Sequence, residues 1–541
     1  MANLQIKICM QSSGLSLAKR FPGQWEFFVF CGKIKQKIIY LIYFIMPFFK
    51  IKKLDFKTGG RWIVVLREKE AQAYGIRMGD KLKLKWDGKE TVVTANYTTS
   101  KVGEGEVGLF KEIWQGRAFR PGEMSELTLL ERPVSIESIK KKLLGGELNY
   151  KEMHAVVKDI ADYVLGDLEI TYFVASGFAR KFSNRELYYL TKSIAETGDT
   201  LRLPGAVVDK HSVGGLPGNR TTMLVIPIIA SLGFKIPKTS SRAITSAAGT
   251  ADTMEVLAPV TFPMKKIKEI VRKTGACIAW GGGTRIAPAD DRIIRVSYPL
   301  SLEPYTKMIV SVLAKKVAMG IKYLVIDLPV GPTAKIHRVA DAKKIERIMK
   351  YLAKRFGIKI KVDTSEALKP IGRGVGPSLE ARDVLRVLQR KEHRPLDLEE
   401  KSLELAGELL DLVGFSKKGD GYDRAMEALR SGKAWKKMQE IIRAQGGRAN
   451  IDSEEVVLSD KILKVKAKTA GQIASFDNKA IVAICRILGA PTCKIAGIYL
   501  NKVMGDRVRR GDVLFTMYAE SKDRLDLAEK ALEKNEVLKI K

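Results

Sequence analysis

Lys210-His-Ser-Val-Gly-Gly-Leu-Pro-Gly-Asn-Arg-Thr-Thr222 and, further on, Ser240-Ser-Arg-Ala-Ile-Thr-Ser-Ala-Ala-Gly-Thr-Ala-Asp252 decide how this chain is read. Each gathers Gly, Ser, Thr and a basic group just after a short apolar strand candidate and just before an apolar helical run. That order is the strand-loop-helix grammar of an α/β domain. It sets backbone N–H groups, hydroxyls and a helix N-terminus where phosphate oxygens can sit. In the first loop the glycines allow close backbone approach and positive φ, while Lys210, Ser212, Arg220, Thr221 and Thr222 supply charge and donors. A plain structural turn does not need so many. His211 is one of four histidines. A lone histidine usually packs or lies at the surface, but its place beside Lys210 and the Gly-Gly pair makes it a candidate for catalysis.

Strand, loop and helix candidates go on alternating from about residue 205 to about residue 400. A helix predicted from Pro304 to Met319 carries Ser311 and Lys315 on one face at i, i+4. Glu303 lies at its N-terminal end, about 12 Å away along the axis. That spread suits a ligand with separated polar ends; the plainer reading is an amphipathic helix with solvated Lys307, Lys315 and Lys316. Gly320 stops the helix. Tyr323-Leu-Val-Ile-Asp-Leu-Pro329 then reads as a buried strand delivering Gly331-Pro-Thr-Ala-Lys335, with Lys335 a third candidate phosphate ligand. Gly372-Arg-Gly-Val-Gly-Pro377 imitates a dinucleotide loop, but Pro377 and the absence of a preceding strand argue against it.

On either side the patterning changes. Arg61-Trp-Ile-Val-Val-Leu66, Lys81-Leu-Lys-Leu-Lys85 and Glu90-Thr-Val-Val-Thr94 alternate between Gly- and Asp-rich turns, which predicts a small β-rich domain over 46–130. A helical domain is expected over 131–203, the α/β domain with a helical return over 204–445, and an α+β, largely β-rich domain over 453–541 after the polar Gly446–Asp452 linker. The last domain resembles biotinyl or lipoyl barrels but lacks a Met-Lys-Met tip, so it reads as structural. Ile38 to Phe49 is apolar and flanked by lysines, yet shorter than the ~20 residues of a spanning helix and interrupted by Pro47. Residues 1–45 are therefore expected to be an extension, either not native or disordered, with the natural start near Met46.

Composition narrows the function classes. The chain has 541 residues and a formal net charge of +33, with 45% hydrophobic residues, enough for several cored domains. The charge favours an anionic partner. Lys and Arg are nevertheless spread along the chain rather than gathered in a stripe, so a small phosphorylated substrate or a generally basic cytosolic surface accounts for the charge at least as well as nucleic acid. Cys9, Cys31, Cys277, Cys485 and Cys493 form no metal or disulfide spacing, and their number fits a cytoplasmic protein.

Lys210-His-Ser-Val-Gly-Gly, Ser240 through Glu255, Ala287-Pro-Ala-Asp-Asp291 and Ser311-Val-Leu-Ala-Lys-Lys316 together resemble the thymidine/pyrimidine-nucleoside phosphorylase family. The likeness runs from about residue 50 to the C-terminus and includes the extra N-terminal domain of its long branch. It implies a helical lobe facing an α/β lobe across a cleft and a homodimer or higher homo-oligomer. It also implies phosphorolysis of an N-glycosidic bond without metal or organic cofactor. By position, Lys210, Ser212, Thr222, Ser240 and Thr250 resemble the phosphate-binding set, while His211, Arg242, Ser311 and Lys315 resemble the residues on the base and sugar side. Gly215, Ser241, Arg242, Ala243, Ile244, Thr245, Ser246, Thr250, Ser311 and Lys335 resemble nucleotide-binding positions of the AMP-cleaving members. Glu303 stands where the family has an aspartate that resembles the proton donor to the base.

Ser246-Ala-Ala-Gly-Thr, Leu302-Glu-Pro304 and Ala318-Met-Gly320 are similar to the AMP-cleaving branch. Asn219-Arg-Thr-Thr-Met223 and Val330 through Lys335 are similar to the thymidine-cleaving one. Tyr298-Pro299 replaces the Arg-containing pair expected of a pyrimidine-nucleoside enzyme. The expectation is conversion of AMP and phosphate to adenine and ribose 1,5-bisphosphate; the alternatives are phosphorolysis of thymidine or another pyrimidine nucleoside, and a basic nucleic-acid-binding protein. Nucleotide or nucleoside and inorganic phosphate are the expected partners, with no nucleic acid and no membrane.

Overall fold

The computed structural model describes residues 5–11, 14–21, 24–30, 48–115, 119–120, 122–214, 216–243, 246–297, 299, 305–415, 417 and 419–541. They fall into two compact units, Met1–Pro133 with Asp162–Val164, and Val134–Ala161 with Leu165–Lys541.

In the first unit, β1 (Gln5–Gln11), β2 (Gly14–Phe21) and β3 (Gln24–Phe30) form an antiparallel sheet. The apolar run at Ile38–Phe49 enters the described residues only at Phe48, where β4 begins. The strands β4 (Phe48–Lys53), β5 (Ile63–Arg67), β6 (Lys81–Trp86), β7 (Lys89–Thr98), β8 (Glu106–Leu109) and β9 (Met124–Leu129) close into a barrel in the order β4-β8-β5-β7-β6-β9. Lys-Leu-Lys-Leu-Lys-Trp in β6 shows why. Leu82, Leu84 and Trp86 go inside while the three lysines stay outside, and register places Leu82 opposite Val93 and Leu129, and Leu84 opposite Leu127. Closure leaves no sheet edge to protect.

The second unit begins with the helices Ser135–Leu143, Tyr150–Ala161, Asp167–Ala179 and Asn184–Glu196. Two helices from much later in the chain join them: Pro288–Ser297 packs on Asp167–Ala179 and Tyr150–Ala161, and Tyr305–Ala318 packs on Asn184–Glu196. Beside this layer runs a parallel sheet of β10 (Val208–Ser212), β13 (Tyr323–Val330) and β14 (Lys359–Glu366). A second parallel pair, β11 (Ile236–Ser240) and β12 (Ala276–Trp280), is tied to β10 through Val208 N–H and Lys235 O at 2.9 Å.

Both faces of this sheet are covered, as parallel sheets require. Leu324, Ile326 and Leu328 pack into the core shared with the helical layer; Val208 and Val325 pack into the opposite core. At the centre of that opposite core lies the helix Thr221–Ser231, buried on every side from Thr221 to Ala230 and apolar all round for that reason. It is clasped by the helices Leu396–Val413 and Lys433–Ala444.

The C-terminal part holds the sheets β15-β18-β20-β16 and β19-β17-β21. They are built from β15 (Gly374–Val375), β16 (Ile462–Lys466), β17 (Gly471–Phe476), β18 (Gly497–Leu500), β19 (Arg507–Val508), β20 (Val513–Tyr518) and β21 (Leu538–Ile540). Two helices, Asn478–Leu488 and Lys522–Leu532, pack on one another. β15 comes from the Gly372–Pro377 segment, so the first of these sheets takes an edge strand from nearly ninety residues upstream of β16. Among the described residues no helix is long and apolar enough to cross a membrane.

One buried ion pair fixes the helical layer. Lys142 and Glu186 are both buried, with Nζ 2.8 Å from Oε2, and Glu186 also accepts from the Leu148 and Ser183 backbone N–H groups at 3.0 and 2.9 Å. Removing one partner strands the other charge. Lys142→Met should therefore cost about 3–5 kcal/mol in chemical denaturation, while Lys142→Met with Glu186→Leu should recover part of that loss.

Candidate active site

Strand alternation splits β10 into two chemistries. Val208, Lys210 and Ser212 share one face, and Asp209 and His211 share the other. On the first face Lys210, 1% exposed, donates from Nζ to Ser212 Oγ, to Thr221 Oγ1 at 2.5 Å and to Thr222 Oγ1 at 3.5 Å. Register sets Ser212 directly beside Asp327 of β13, and Ser212 Oγ donates to Asp327 Oδ2 at 2.6 Å. Asp327 is fully buried and collects Asn219 Nδ2 at 3.2 Å, Lys401 Nζ at 2.9 Å and Lys210 Nζ at 3.8 Å. Burial alone would raise the Asp327 carboxyl, but Lys210 and Lys401 outweigh it and hold it below the usual carboxylate range. Burial takes Lys210 the other way, down to about 8, against the pull of Asp327 and with the push of Lys401 and Arg220.

The glycine loop is bent to serve this cluster. Gly218 sits at φ +72°, and a Cβ there would lie 2.2 Å from Ile371 O. Arg220 then turns toward the second loop: its Nη1 donates to Thr250 Oγ1 at 3.1 Å and its Nη2 to Ala248 O at 2.7 Å, while Nε pairs with Glu380. Thr250 opens the helix Thr250–Met254, and a Cβ on Gly249 before it would meet Ser241 O at 2.5 Å. Ser240 ends β11, Ser241 is exposed, and Arg242 forms a fork onto Glu255 at 2.6 Å through each Nη, with Nη1 also 3.1 Å from Asp252. Its guanidinium lies 4.8 Å from the centre of the Trp280 ring. Arg242, opposed by burial and joined by Lys494, holds Glu255 down to about 2. Ala243 donates its N–H to Asp252 Oδ2 at 2.7 Å, and Ser246 Oγ donates to Ala248 O at 2.9 Å.

On the other face of β10, buried Asp209 accepts from Lys316 and, at 3.4 Å, from Lys238. Lys238 Nζ also donates to Lys210 O at 2.6 Å, and Asp209 Oδ1 accepts the Lys210 N–H at 2.7 Å, so both backbone groups of Lys210 are held. Burial pulls Lys238 down to about 7, with Asp209 opposing. His211, half-buried, is held well below its usual value by burial and then by the charges of Lys316, Lys238, Lys210 and Lys315.

Those last charges connect β10 to the helix Tyr305–Ala318. There Ser311 Oγ donates to buried Asp290 Oδ2 at 2.6 Å, and Lys315 pairs with the same oxygen. Burial works against the Lys315 charge, but Asp290 and Asp291 prevail and raise it. Asp291 keeps solvent access, yet desolvation lifts its carboxyl to about 6, with Lys315 opposing and Asp290 adding to the rise.

Lys210, Ser212, Thr222 and Thr250 are thus linked through Arg220 and Thr221, and Lys315 lies within electrostatic reach of His211. Lys335 is exposed on the loop after β13. Gly215, Ile244, Thr245 and Glu303 lie outside the described residues. Sequence reasoning passed over Asp209, Lys238, Glu380, Asp327 and Lys401. A lone carboxylate inside Leu-Val-Ile-Asp-Leu could have marked Asp327. Lys316, which the helical pattern leaves as a solvated residue, is 2% exposed and paired.

An anion seated at Lys210 depends on that ammonium, which is charged below about pH 8 and neutral above it. Sulfate binding, followed by calorimetry from about pH 6 to about pH 10 where sulfate itself does not titrate, should weaken as pH rises through about 8. Lys210→Met should remove the binding across the whole range.

Residues 204–435 match the glycosyl transferase family, a/b domain, and residues 472–539 match the pyrimidine nucleoside phosphorylase C-terminal domain. The AMP phosphorylase of Thermofilum pendens is 43% identical over 485 residues, covering 90% of this chain and 93% of that protein. AMP phosphorylase 1 of Archaeoglobus fulgidus is 41% identical over 481 residues, covering 89% and 95%. The AMP phosphorylase of Thermococcus kodakarensis is 43% identical over 492 residues, covering 91% and 97%. A solved anthranilate phosphoribosyltransferase from Thermus thermophilus superposes with a TM-score of 0.49 at 19% identity, over 57% of this chain and 99% of that one. With relatives of that identity along nine-tenths of its length, the chain belongs to the thymidine/pyrimidine-nucleoside phosphorylase family, in its long form.

Proposed function

We propose that this enzyme is an AMP phosphorylase, a pentosyltransferase that converts AMP and inorganic phosphate to adenine and ribose 1,5-bisphosphate. The observation that carries the reading is its likeness to AMP phosphorylases along almost the whole chain, 43% over 485 residues in one case. The buried cluster of Lys210 with Ser212, Thr221 and Asp327 supports it.

In this reading Lys210, Ser212, Thr222, Ser240 and Thr250 hold inorganic phosphate in line with the anomeric carbon. One phosphate oxygen forms the new C–O bond as the N-glycosidic bond breaks, and its electrons leave with the base. The configuration at the anomeric carbon inverts, and the oxocarbenium-like transition state is stabilised by the phosphate charge beneath it. His211, neutral among ammonium groups, gives or accepts a hydrogen bond on the sugar side. Arg242, Ser311, Lys315 and Lys335 hold the nucleotide, and Glu303 protonates the departing adenine. A cytoplasmic location goes with these substrates.

The match of residues 472–539 to a pyrimidine nucleoside phosphorylase domain favours a second reading, thymidine or uridine as substrate. Phosphate-dependent base release from AMP, CMP, UMP, adenosine, thymidine and uridine, followed by chromatography, separates the two. The expected result is adenine from AMP alone or far ahead of the others. Release only from thymidine or uridine would replace the AMP reading. With AMP as substrate, Glu303→Gln should cut turnover far more than it changes AMP binding, and equal turnover would remove Glu303 from the mechanism.

The same reading includes a homodimer formed through the helical layer. The helix Asp167–Ala179 exposes Leu168, Tyr172 and Phe178, and the neighbouring helix Ser135–Leu143 is bracketed by Val134 and Leu144, which are 81% and 86% exposed. So much apolar surface on adjacent helices needs a cover. Sedimentation should show a dimer that Tyr172→Asp shifts toward monomer.

A further inference from the structure

Around the glycine loop nearly every cation is spent on a carboxylate. Lys210 and Lys401 face Asp327, Arg220 faces Glu380, Arg242 faces Glu255 and Asp252, Lys315 faces Asp290, and Lys238 and Lys316 share Asp209. Arg373 breaks the pattern. It is half-buried, and among the described residues its guanidinium makes neither a hydrogen bond nor an ion pair.

Its backbone, by contrast, is fixed from several directions. Arg373 N–H donates to Asp383 Oδ2 at 2.7 Å, and its carbonyl accepts from Leu500 N–H at 2.8 Å. Gly374 N–H goes to the same Asp383 oxygen at 2.7 Å, and Gly372 N–H, at φ +78°, reaches both Asp397 oxygens at 3.3 and 3.2 Å. Asp383 is itself buried. A guanidinium with so ordered a base and no partner of its own is prepared for a ligand, since the loop needs no further ordering when the ligand arrives.

The loop also lies against the phosphate-loop candidate. Ile371 N–H donates to Pro217 O at 3.1 Å, and Gly218 is a glycine because a Cβ would strike Ile371 O at 2.2 Å and Gly374 O at 3.0 Å. On the neighbouring side Ala367 N–H donates to Val330 O at 2.9 Å, at the root of the loop that carries Lys335. The segment around Arg373 is therefore packed between two loops at the carboxyl ends of β10 and β13, where open parallel sheets bind ligands.

We propose that Arg373 binds the phosphomonoester of the substrate and thereby makes the enzyme prefer a nucleotide to a nucleoside. This rests on the AMP reading, in which two phosphate groups occupy the site together. The Lys210 cluster accounts for the attacking phosphate, and a second dianion needs a second cation. A planar guanidinium meets two phosphate oxygens through parallel N–H donors, which an ammonium cannot do. Arg242 and Lys315 are already engaged by carboxylates, so their charge is largely answered before substrate arrives.

Steady-state kinetics of Arg373→Gln against the full-length parent test this. Wild-type turnover of AMP reports on the AMP reading; the variant reports on Arg373. The variant should raise the KM for AMP roughly 10- to 100-fold, the range set by losing hydrogen bonds to a charged group, while the KM for inorganic phosphate stays within about twofold. The preference for AMP over adenosine should fall by the same factor, and Arg373→Lys should recover only part of it. A folded Arg373→Gln enzyme with an unchanged KM for AMP would overturn the assignment, as would equal losses toward AMP and phosphate. If the Gln variant does not fold, calorimetric binding of ribose 5-phosphate to Arg373→Lys decides in its place. Weaker binding than the parent upholds the assignment, and equal binding ends it. A parent enzyme that cleaves only nucleosides would remove the AMP reading and this assignment with it.

Discussion

A single carboxylate organises the α/β half of this enzyme. Asp327 has no solvent exposure, yet it accepts from Ser212, Asn219 and Lys401 and stands 3.8 Å from the Lys210 ammonium. Burial pulls the Lys210 ammonium toward losing its proton, and Asp327 opposes that pull. Asp327 comes from β13, Lys210 and Ser212 from β10, Asn219 from the glycine loop and Lys401 from the helix Leu396–Val413. Four separated pieces of chain are thereby held to one point, and the point is also the floor of the candidate phosphate site. In the proposed function, structural charge and functional charge are the same charge.

The parallel sheet makes this economical. Because both of its faces are buried, side chains that alternate along β10 reach two different interiors. Lys210 and Ser212 meet the carboxylate on one side, while Asp209 on the other draws in Lys238 and Lys316. The second cluster is not a duplicate of the first. Asp209 and Lys238 grip the N–H and C=O of Lys210, so the ammonium on one face is steadied by ion pairs on the other. Strand register supplies the rest, since the Ser212–Asp327 pairing places hydroxyl beside carboxylate without any loop having to adjust.

What the sequence showed and what it hid follow the same division. The strands at Arg61–Leu66, Lys81–Lys85 and Glu90–Thr94 were legible because half-buried strands alternate, and they became β5, β6 and β7. The mixed α/β class was legible from the two glycine- and serine-rich loops, each between strand and helix. The helix carrying Ser311 and Lys315 was legible from its period. Hidden were contacts that depend on long separations. Lys401 reaches Asp327 from 74 positions away, read directly from their numbers, and nothing local to a regular amphipathic helix marks it. The Gly372–Pro377 segment, set aside as a false dinucleotide loop, proved to be a strand edge and a seat for the glycine loop. Local pattern identified its glycines but not the neighbours that require them.

The protonation states constrain which residue can serve as acid. His211 sits among four lysines whose charges, together with burial, keep its imidazole neutral far below its ordinary range. A histidine so placed lacks the acidic imidazolium proton at neutral pH, though its neutral ring can still orient a hydroxyl. Lys315 is tied to Asp290, and proton loss from it would leave that buried carboxylate unanswered. In the proposed function the acid is therefore a carboxyl, a group that a water-poor environment keeps protonated near neutrality. Glu303 is the carboxyl proposed for that role. Asp291 is lifted to about 6 by desolvation, with Asp290 adding to the rise and Lys315 opposing it. In the proposed function, the cations assigned to phosphate also keep the neighbouring histidine neutral, which leaves the proton chemistry to another residue.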